Sequence, residues 1–130
     1  MERIEVTYLD TCVVVWLFGG ERHKLSKMAI AGIQAEDEIL ISPAVVLELQ
    51  LLHEIKRART TALKVIERLS SEIGLAVCRL PFASVIESAV DLTWARDPFD
   101  RLIVAHASAN EAPLVTKDER IRRHYKRSIW

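Results

Sequence analysis

Ile4-Glu5-Val6-Thr7-Tyr8-Leu9-Asp10-Thr11-Cys12-Val13-Val14-Val15-Trp16-Leu17-Phe18 changes its period once, at an acid. Up to Leu9, apolar Ile4, Val6 and Tyr8 alternate with Glu5 and Thr7, the two-residue repeat of a strand. From Thr11 the run is helix-compatible, and Gly19-Gly20 stops it. A strand that ends on an acid and turns at once into a helix is a βα unit.

The alternation continues along the chain. Lys24 to Gln34 carries Leu25, Met28, Ala29 and Ile33 at helical spacing, predicting a second helix that closes near Ala35. Glu38 to Ile41 reads as the second strand, and Ser42-Pro43 opens a helix expected to run to about Arg59. Thr61 to Ile73 is amphipathic, with Leu63, Ile66, Leu69 and Ile73 facing inward, and Gly74 ends it. A third strand follows at Ala76 to Leu80, closed by Pro81, then helices at Ala83 to Trp94 and Pro98 to Asn110. Pro113 to Thr116 is the fourth strand, a short basic helix follows Asp118, and Ser128 to Trp130 is a candidate edge strand. This order predicts a three-layer α/β/α domain with a mainly parallel central sheet.

A length of 130 residues suits one domain over residues 1–130. Half the residues are hydrophobic and 28% are charged, the composition of a folded globule and not of a disordered tail. Lys plus Arg equals Asp plus Glu at 18 each, so nothing global draws the chain to nucleic acid and any such binding needs a local patch. Acid and base are segregated. Glu36, Asp37, Glu38, Glu48 and Glu54 occupy a stretch without Lys or Arg, whereas Lys117, Arg120, Arg122, Arg123, Lys126 and Arg127 crowd the last helix against Asp118 and Glu119. That basic run is expected to contact phosphates; its plainer reading is a solvated helix face. Cys12 and Cys78 form no paired motif and read as buried free thiols in a reducing compartment. Cys12 to Phe18 is the longest apolar run, too short for a membrane span, and Met1-Glu2-Arg3 opens no signal peptide, so the expectation is a cytoplasmic protein.

The chemistry must lie with the acids. In Arg96-Asp97-Pro98-Phe99-Asp100-Arg101-Leu102-Ile103-Val104-Ala105-His106-Ala107, Asp97 is placed as an N-cap, Pro98 as the first helical residue, and Asp100 three residues after the cap. Capping and metal-binding aspartates both favour the positive end of a helix, so this segment alone leaves both roles open. Asp10 and Asp118 follow strand ends, and Glu48 lies early in the helix after the second strand. Parallel sheets bind ligands beyond the carboxyl ends of their strands, where these acids converge. On a helical wheel Glu48 falls between Leu52 and Ile55, flanked by Val45 and Leu51, and a carboxylate in an apolar arc is costly without a cation. Carboxylates without cysteine partners or paired histidines are hard oxygen ligands that select Mg²⁺ or Mn²⁺. His106 shares a face with Phe99, Leu102, Ile103 and Ala109 and reads as a core residue. Such an ion serves phosphate chemistry, generating hydroxide and stabilising an in-line displacement at phosphorus. Arg101 and Lys117 stand where they are expected to hold a substrate backbone.

In order, strand-Leu9-Asp10-Thr11, Ser42-Pro43 with Glu48 in the following helix, Asp97-Pro98-Phe99-Asp100-Arg101-Leu102-Ile103-Val104-Ala105, and Leu114-Val115-Thr116-Lys117-Asp118 resemble a PIN domain of the VapC toxin type over nearly the whole chain. The resemblance implies a PIN-like fold and a Mg²⁺- or Mn²⁺-dependent endoribonuclease. Its acids would be Asp10, Glu48, Asp100 and Asp118, with Asp97 as an accessory metal ligand and Thr11 and Thr116 as supporting hydroxyls. It implies also an RNA substrate, a small cognate antitoxin in the active-site groove, and a homodimer. Two other folds with an aspartate after the first strand fit less well. A haloacid dehalogenase type needs a second aspartate where Cys12 stands, and a receiver domain needs one after the third strand, where the chain has Leu80-Pro81. The alternative of another class is a PIN-fold module that binds RNA or protein without cutting.

Overall fold

The computed structural model of the chain describes residues 5–35 and 37–130; Ile4 of the expected first strand and Glu36 of the acidic run lie outside them. β1 (Val6–Leu9) lies between β2 (Glu38–Ile41) and β4 (Leu114–Val115), with β3 (Ala76–Val77) outside β2 and β5 (Ser128–Ile129) outside β4. All four pairings are parallel, with Tyr8 opposite both Leu40 and Leu114. Thr7, Tyr8 and Leu9 are all fully buried although successive side chains point to opposite faces, so helices cover the sheet on both sides. The chain leaves β1 toward β3, returns beside β1 as β4, and continues outward to β5. That reversal opens a crevice at the carboxyl ends of β1 and β4.

Among the described residues seven α-helices make the connections: α1 (Thr11–Phe18), α2 (Lys27–Ala35), α3 (Pro43–Glu54), α4 (Ala62–Ile73), α5 (Phe82–Val90), α6 (Pro98–Ala109) and α7 (Glu119–His124). None is long and apolar enough to cross a membrane. Val13 and Val14 of α1, Val45 of α3 and Ile103 and Val104 of α6 meet the sheet in one core. Local chemistry accounts for the helix starts. Ser42 Oγ accepts from Ala44 N–H at 3.0 Å, Asp97 Oδ1 from Phe99 N–H at 2.8 Å, and Asp118 Oδ1 from Ile121 N–H at 2.9 Å. Gly74 ends α4 at φ +71°, a conformation glycine adopts without a Cβ penalty.

Several expected boundaries move. The second helix does not begin at Lys24: a 3₁₀ turn at Arg22–Lys24 precedes it, Ser26 Oγ accepts from Ala29 N–H at 3.0 Å, and Met28 faces solvent. On α4 Leu63 is exposed, and Val65 with Leu69 takes the core side. The third strand stops at Val77 although Cys78 N–H still reaches Ile41 O at 2.8 Å. Hydrogen bonds at Pro113 O and Thr116 N–H carry the ladder of the fourth strand past both ends of β4.

The helix after Ser42 ends at Glu54, not near Arg59. Lys56 adopts φ +64°, its N–H reaches His53 O at 3.0 Å, and Arg57 N–H reaches Leu52 O at 2.8 Å. This is a Schellman stop with lysine where glycine is usual. Left-handed backbone strains an L-residue, whereas glycine loses more entropy on folding. Lys56→Gly is therefore expected to stabilise the fold by about 0.5 to 1 kcal/mol, read as a higher urea midpoint with unchanged slope. A lower midpoint would mean that the Lys56 side chain makes an interaction worth more than the strain.

α5 likewise ends at Val90 and not at Trp94, for a reason that also reassigns Arg101. The Arg101 guanidinium donates to Ala89 O at 2.7 Å, Val90 O at 2.9 Å and Ala95 O at 3.4 Å. Those carbonyls close α5 and the loop before Asp97; Ala89 O also accepts from Leu92 N–H at 3.1 Å, and the guanidinium adds donors where the helical ladder runs out. A side chain so engaged is a clamp between α5 and α6, contrary to the expected substrate contact. Arg101→Ala should cost about 1 to 2 kcal/mol of stability, through removal of charge-assisted bonds to a part-buried helix end. A melting point equal to the parent's would contradict the clamp.

Candidate active site

The crevice is a cavity of about 700 Å³ lined by Asp10, Thr11, Glu48, Asp100 and Asp118 together with Cys12, Trp16, Leu52, Arg57 and Lys117. Each acid arrives from a different place. Asp10 ends β1 and caps α1, Glu48 projects from α3, Asp100 from the first turn of α6, and Asp118 from the cap of α7.

Two threonines fix the deepest part. Asp10 is buried, and its Oδ1 accepts from Thr11 N–H at 2.8 Å while its Oδ2 accepts from the Thr116 hydroxyl at 2.6 Å. Thr116 Oγ1 in turn accepts from Asp118 N–H at 3.1 Å, tying the β4 end to the α7 cap. The Thr11 hydroxyl donates to Glu48 Oε1. Glu48 therefore does not sit in the core, as the wheel suggested. Val45 and Leu49 face the core, Leu52 lines the cavity, and Leu51 and Ile55 are exposed.

No cation among the described residues forms an ion pair with these acids. The ion pairs among the described residues are Lys24–Glu21 and Arg68–Glu72, both remote from the cavity. Burial raises the pKa of Asp10 despite the bonds from Thr116 and Thr11, with the Asp118 charge adding to it. Burial also raises Glu48, partly offset by the Thr11 hydroxyl and reinforced by Asp10 and Asp97. Asp100 accepts no hydrogen bond among the described residues; burial first, then the charges of Asp10, Asp97, Asp118 and Glu48, push it up to about 7. The half-buried Cys12 thiol is pushed up to about 12, chiefly by burial and then by Asp10, and so is a neutral lining group. Cys78 is buried, as expected, with Sγ 3.0 Å from the Tyr8 hydroxyl.

The donor set fits a hard divalent cation, being all carboxylate and without an ion pair to Arg57 or Lys117 among the described residues. No three His, Cys, Asp or Glu side chains among the described residues are gathered to the distance at which they would grip one ion. Mg²⁺ keeps several waters and takes only one or two carboxylates directly, so an open acid ring still suits it. Asp97 is not part of the lining; its carboxylate caps α6 and acts on Asp100 and Glu48 through its charge. His106 is buried outside the cavity, its Nδ1 3.0 Å from Leu102 O and 2.8 Å from Ser42 Oγ, and burial lowers its pKa. Arg57, Trp16 and Leu52 line the cavity although nothing in the sequence marks them for it. Arg57 was hidden inside the expected extension of α3, and Trp16 read as one more apolar residue of α1.

The model of the PIN domain family matches residues 7–127. Ribonuclease VapC22 of Mycobacterium tuberculosis (strain ATCC 25618 / H37Rv) is 31% identical over 118 residues, covering 89% of each chain. Two solved structures share the fold. The VapBC2 crystal structure from Rickettsia felis, bound to a DNA fragment from their promoter, has a TM-score of 0.64 at 19% identity and covers 96% of this chain and 99% of that one. A toxin-antitoxin complex from Klebsiella pneumoniae has a TM-score of 0.68 at 17% identity, covering 95% and 96%. A family match over almost the whole chain, on a parallel sheet with acids at its switch point, has one meaning: the chain belongs to the PIN domain family, among the VapC-type proteins.

Proposed function

We propose that the chain is a Mg²⁺- or Mn²⁺-dependent endoribonuclease and the toxin of a toxin-antitoxin pair. The observation that carries this reading is the convergence of Asp10, Glu48, Asp100 and Asp118 on one cavity with no ion pair to them among the described residues. Its relatives support it: one is named a ribonuclease, and others are solved as VapBC or toxin-antitoxin complexes.

Within that reading Asp10, Glu48, Asp100 and Asp118 would hold the cation, one or two directly and the others through its waters, and Asp97 caps α6 and tunes Asp100. When bound, the ion supplies charge stabilisation at the phosphate oxygens and lowers the pKa of a water. The Thr116 and Thr11 hydroxyls fix the Asp10 and Glu48 carboxylates before substrate arrives. Asp100, pushed up to about 7 by burial and the surrounding acids, would hold its negative charge more readily beside a bound cation. Lys117, on the cavity wall, steadies a phosphate of the substrate. A small antitoxin would cover the acid groove, and two toxin chains would form a homodimer. RNA as substrate and two free cysteines suit the reducing cytoplasm.

Purified chain, freed of any bound inhibitor, should cleave members of a broad RNA panel with Mg²⁺ or Mn²⁺ and none with chelator. Copurification from the native host should recover a small protein that suppresses cleavage, and light scattering should give twice the chain mass. Absence of metal-dependent cleavage across the panel would sink the enzyme reading and leave the non-cleaving module.

A further inference from the structure

The carboxylates of the acid cavity repel RNA wherever no cation stands between them, so a polyanion must be held from outside the acid ring. Two cations line the cavity, Arg57 and Lys117, and the surface beyond each is different. Beyond Arg57 lies a cavity of about 330 Å³ in which Arg57 and Arg59 stand with Glu21 among the apolar walls of Val15, Phe18, Leu49 and Val65, and no aromatic pair among the described residues continues into it from the acid cavity. On the Lys117 side, Glu119 borders both the acid cavity and a second cavity of about 540 Å³ formed with Arg122, Arg123, Lys126, Ser128 and Trp130. Arg122, Arg123 and Lys126 are exposed, and neither ion pair among the described residues involves them or Lys117.

An aromatic pair joins the two cavities. Trp16 lines the acid cavity, Trp130 lines the basic one, and their ring centroids stand 6.0 Å apart at 53°. Lys117 Nζ lies 5.9 Å from the centroid of the Trp16 ring. Both indoles are only half-buried and keep part of their surface open. Cations interleaved with accessible aromatic rings form a surface for unpaired nucleotides, because phosphates meet the cations and any base can stack on an indole. Duplex RNA hides its base faces and cannot use such a platform.

We propose that a single RNA strand runs from the acid cavity across Trp16 and Trp130 into the basic cavity of α7, stacking bases on the indoles and placing phosphates on Lys117, Arg122, Arg123 and Lys126. The proposal rests on the ribonuclease reading for its substrate and adds the route. It assigns α7 a sequence-independent grip, so that preference for one RNA over another arises elsewhere.

The probe is a labelled single-stranded oligouridylate, titrated by anisotropy at several salt concentrations against Asp100→Asn protein, which keeps the RNA intact. Adding Arg122→Gln, Arg123→Gln and Lys126→Gln together should weaken binding and reduce the slope of log affinity against log salt by about 2, at roughly 0.7 for each phosphate no longer neutralised. Trp130→Leu should weaken binding roughly 5- to 150-fold with the slope unchanged, the signature of a base that no longer stacks. Should Trp130→Leu fail to fold, fluorescence gives the same answer. The chain has three tryptophans, so in Trp94→Phe the emission comes from Trp16 and Trp130, and the single strand, not a duplex of equal length, should quench it. Unchanged affinity and slope in the charge variant, with no quenching, would overturn the route even if the parent chain cuts RNA. Polyglutamate competing as well as oligouridylate would overturn it in favour of an acidic protein segment on α7. The expected binding behaviour in a chain that cuts no RNA with either metal would uphold the route and remove the nuclease.

Discussion

Glu48→Gln and Asp100→Asn are each expected to cleave RNA at least about 100-fold more slowly than the parent chain, about 3 kcal/mol or more of barrier, while remaining folded. Each change keeps the side-chain shape and deletes one negative charge from the ring that would hold the cation. Glu48 is the sharper case, since the Thr11 hydroxyl already aims its carboxylate and the substitution leaves α3 undisturbed. Thr116→Val should cost less, roughly 10- to 100-fold. It leaves every acid in place and removes the hydroxyl that orients Asp10 and accepts from Asp118 N–H. Initial rates over a Mg²⁺ series check this order, and partial rescue of Thr116→Val at high Mg²⁺ would locate its defect in metal affinity. A Glu48→Gln protein within about threefold of the parent, far short of the transition-state effect expected of a metal-holding acid, would remove Glu48 from the site.

The architecture was legible because its signals are local. Alternation in Val6 to Tyr8, the cap and proline at Ser42-Pro43 and Asp97-Pro98, and the glycine at Gly74 each act within a few residues of themselves. The convergence of the acids was legible for a topological reason: residues that follow parallel strands finish at one edge of the sheet whatever the details of the loops. The stop at Lys56 was not legible. It relies on a lysine in left-handed backbone, held by bonds that any sequence supplies, and no glycine or proline marks it.

That hidden stop carries a residue of the cavity wall with it. Because α3 ends at Glu54, Arg57 leaves the helix and joins the wall of the acid cavity, where a continued helix would have placed it elsewhere. The exchange of Arg101 for a structural role has the same origin. Guanidinium groups beside aspartates suggest phosphate contacts, but the carbonyls that capture Arg101 lie at Ala89, Val90 and Ala95, on an element whose end the sequence did not announce. Asp97 was ambiguous in principle, since one helix end attracts a cap and a ligand alike. Its side chain settles on the backbone of Phe99 and Asp100, outside the cavity lining.

Asp100→Asn should also melt higher than the parent chain in chelator at pH 8, by on the order of 2 kcal/mol, or roughly 5 to 10 °C. Burial and the surrounding acids move the Asp100 carboxyl from the usual 3.8 to about 7. At about 1.4 kcal/mol per pH unit that interval sets a ceiling near 4 kcal/mol, and partial exposure to solvent halves it roughly. The sign follows from proton binding. Between the two values the folded chain holds a proton that the unfolded chain has released, so stability from this group is full below about 4 and is lost as pH rises through about 7. The parent chain in chelator should therefore lose stability across that window, and Asp100→Asn, which carries no titrating group there, should lose less. Mg²⁺ should reverse the ranking by stabilising the parent through binding to the folded state, an effect the variant largely forfeits. A purely capping role for Asp100, in the first turn of α6, predicts the opposite: asparagine gives up about 0.3 to 1 kcal/mol of interaction with the helix dipole and relieves nothing. Melting curves of both proteins, with chelator and with Mg²⁺ from pH 4 to 8, separate the two roles. A variant that melts lower in chelator at every pH, with a Mg²⁺ shift equal to the parent's, would mean that Asp100 belongs to the helix and not to a cation.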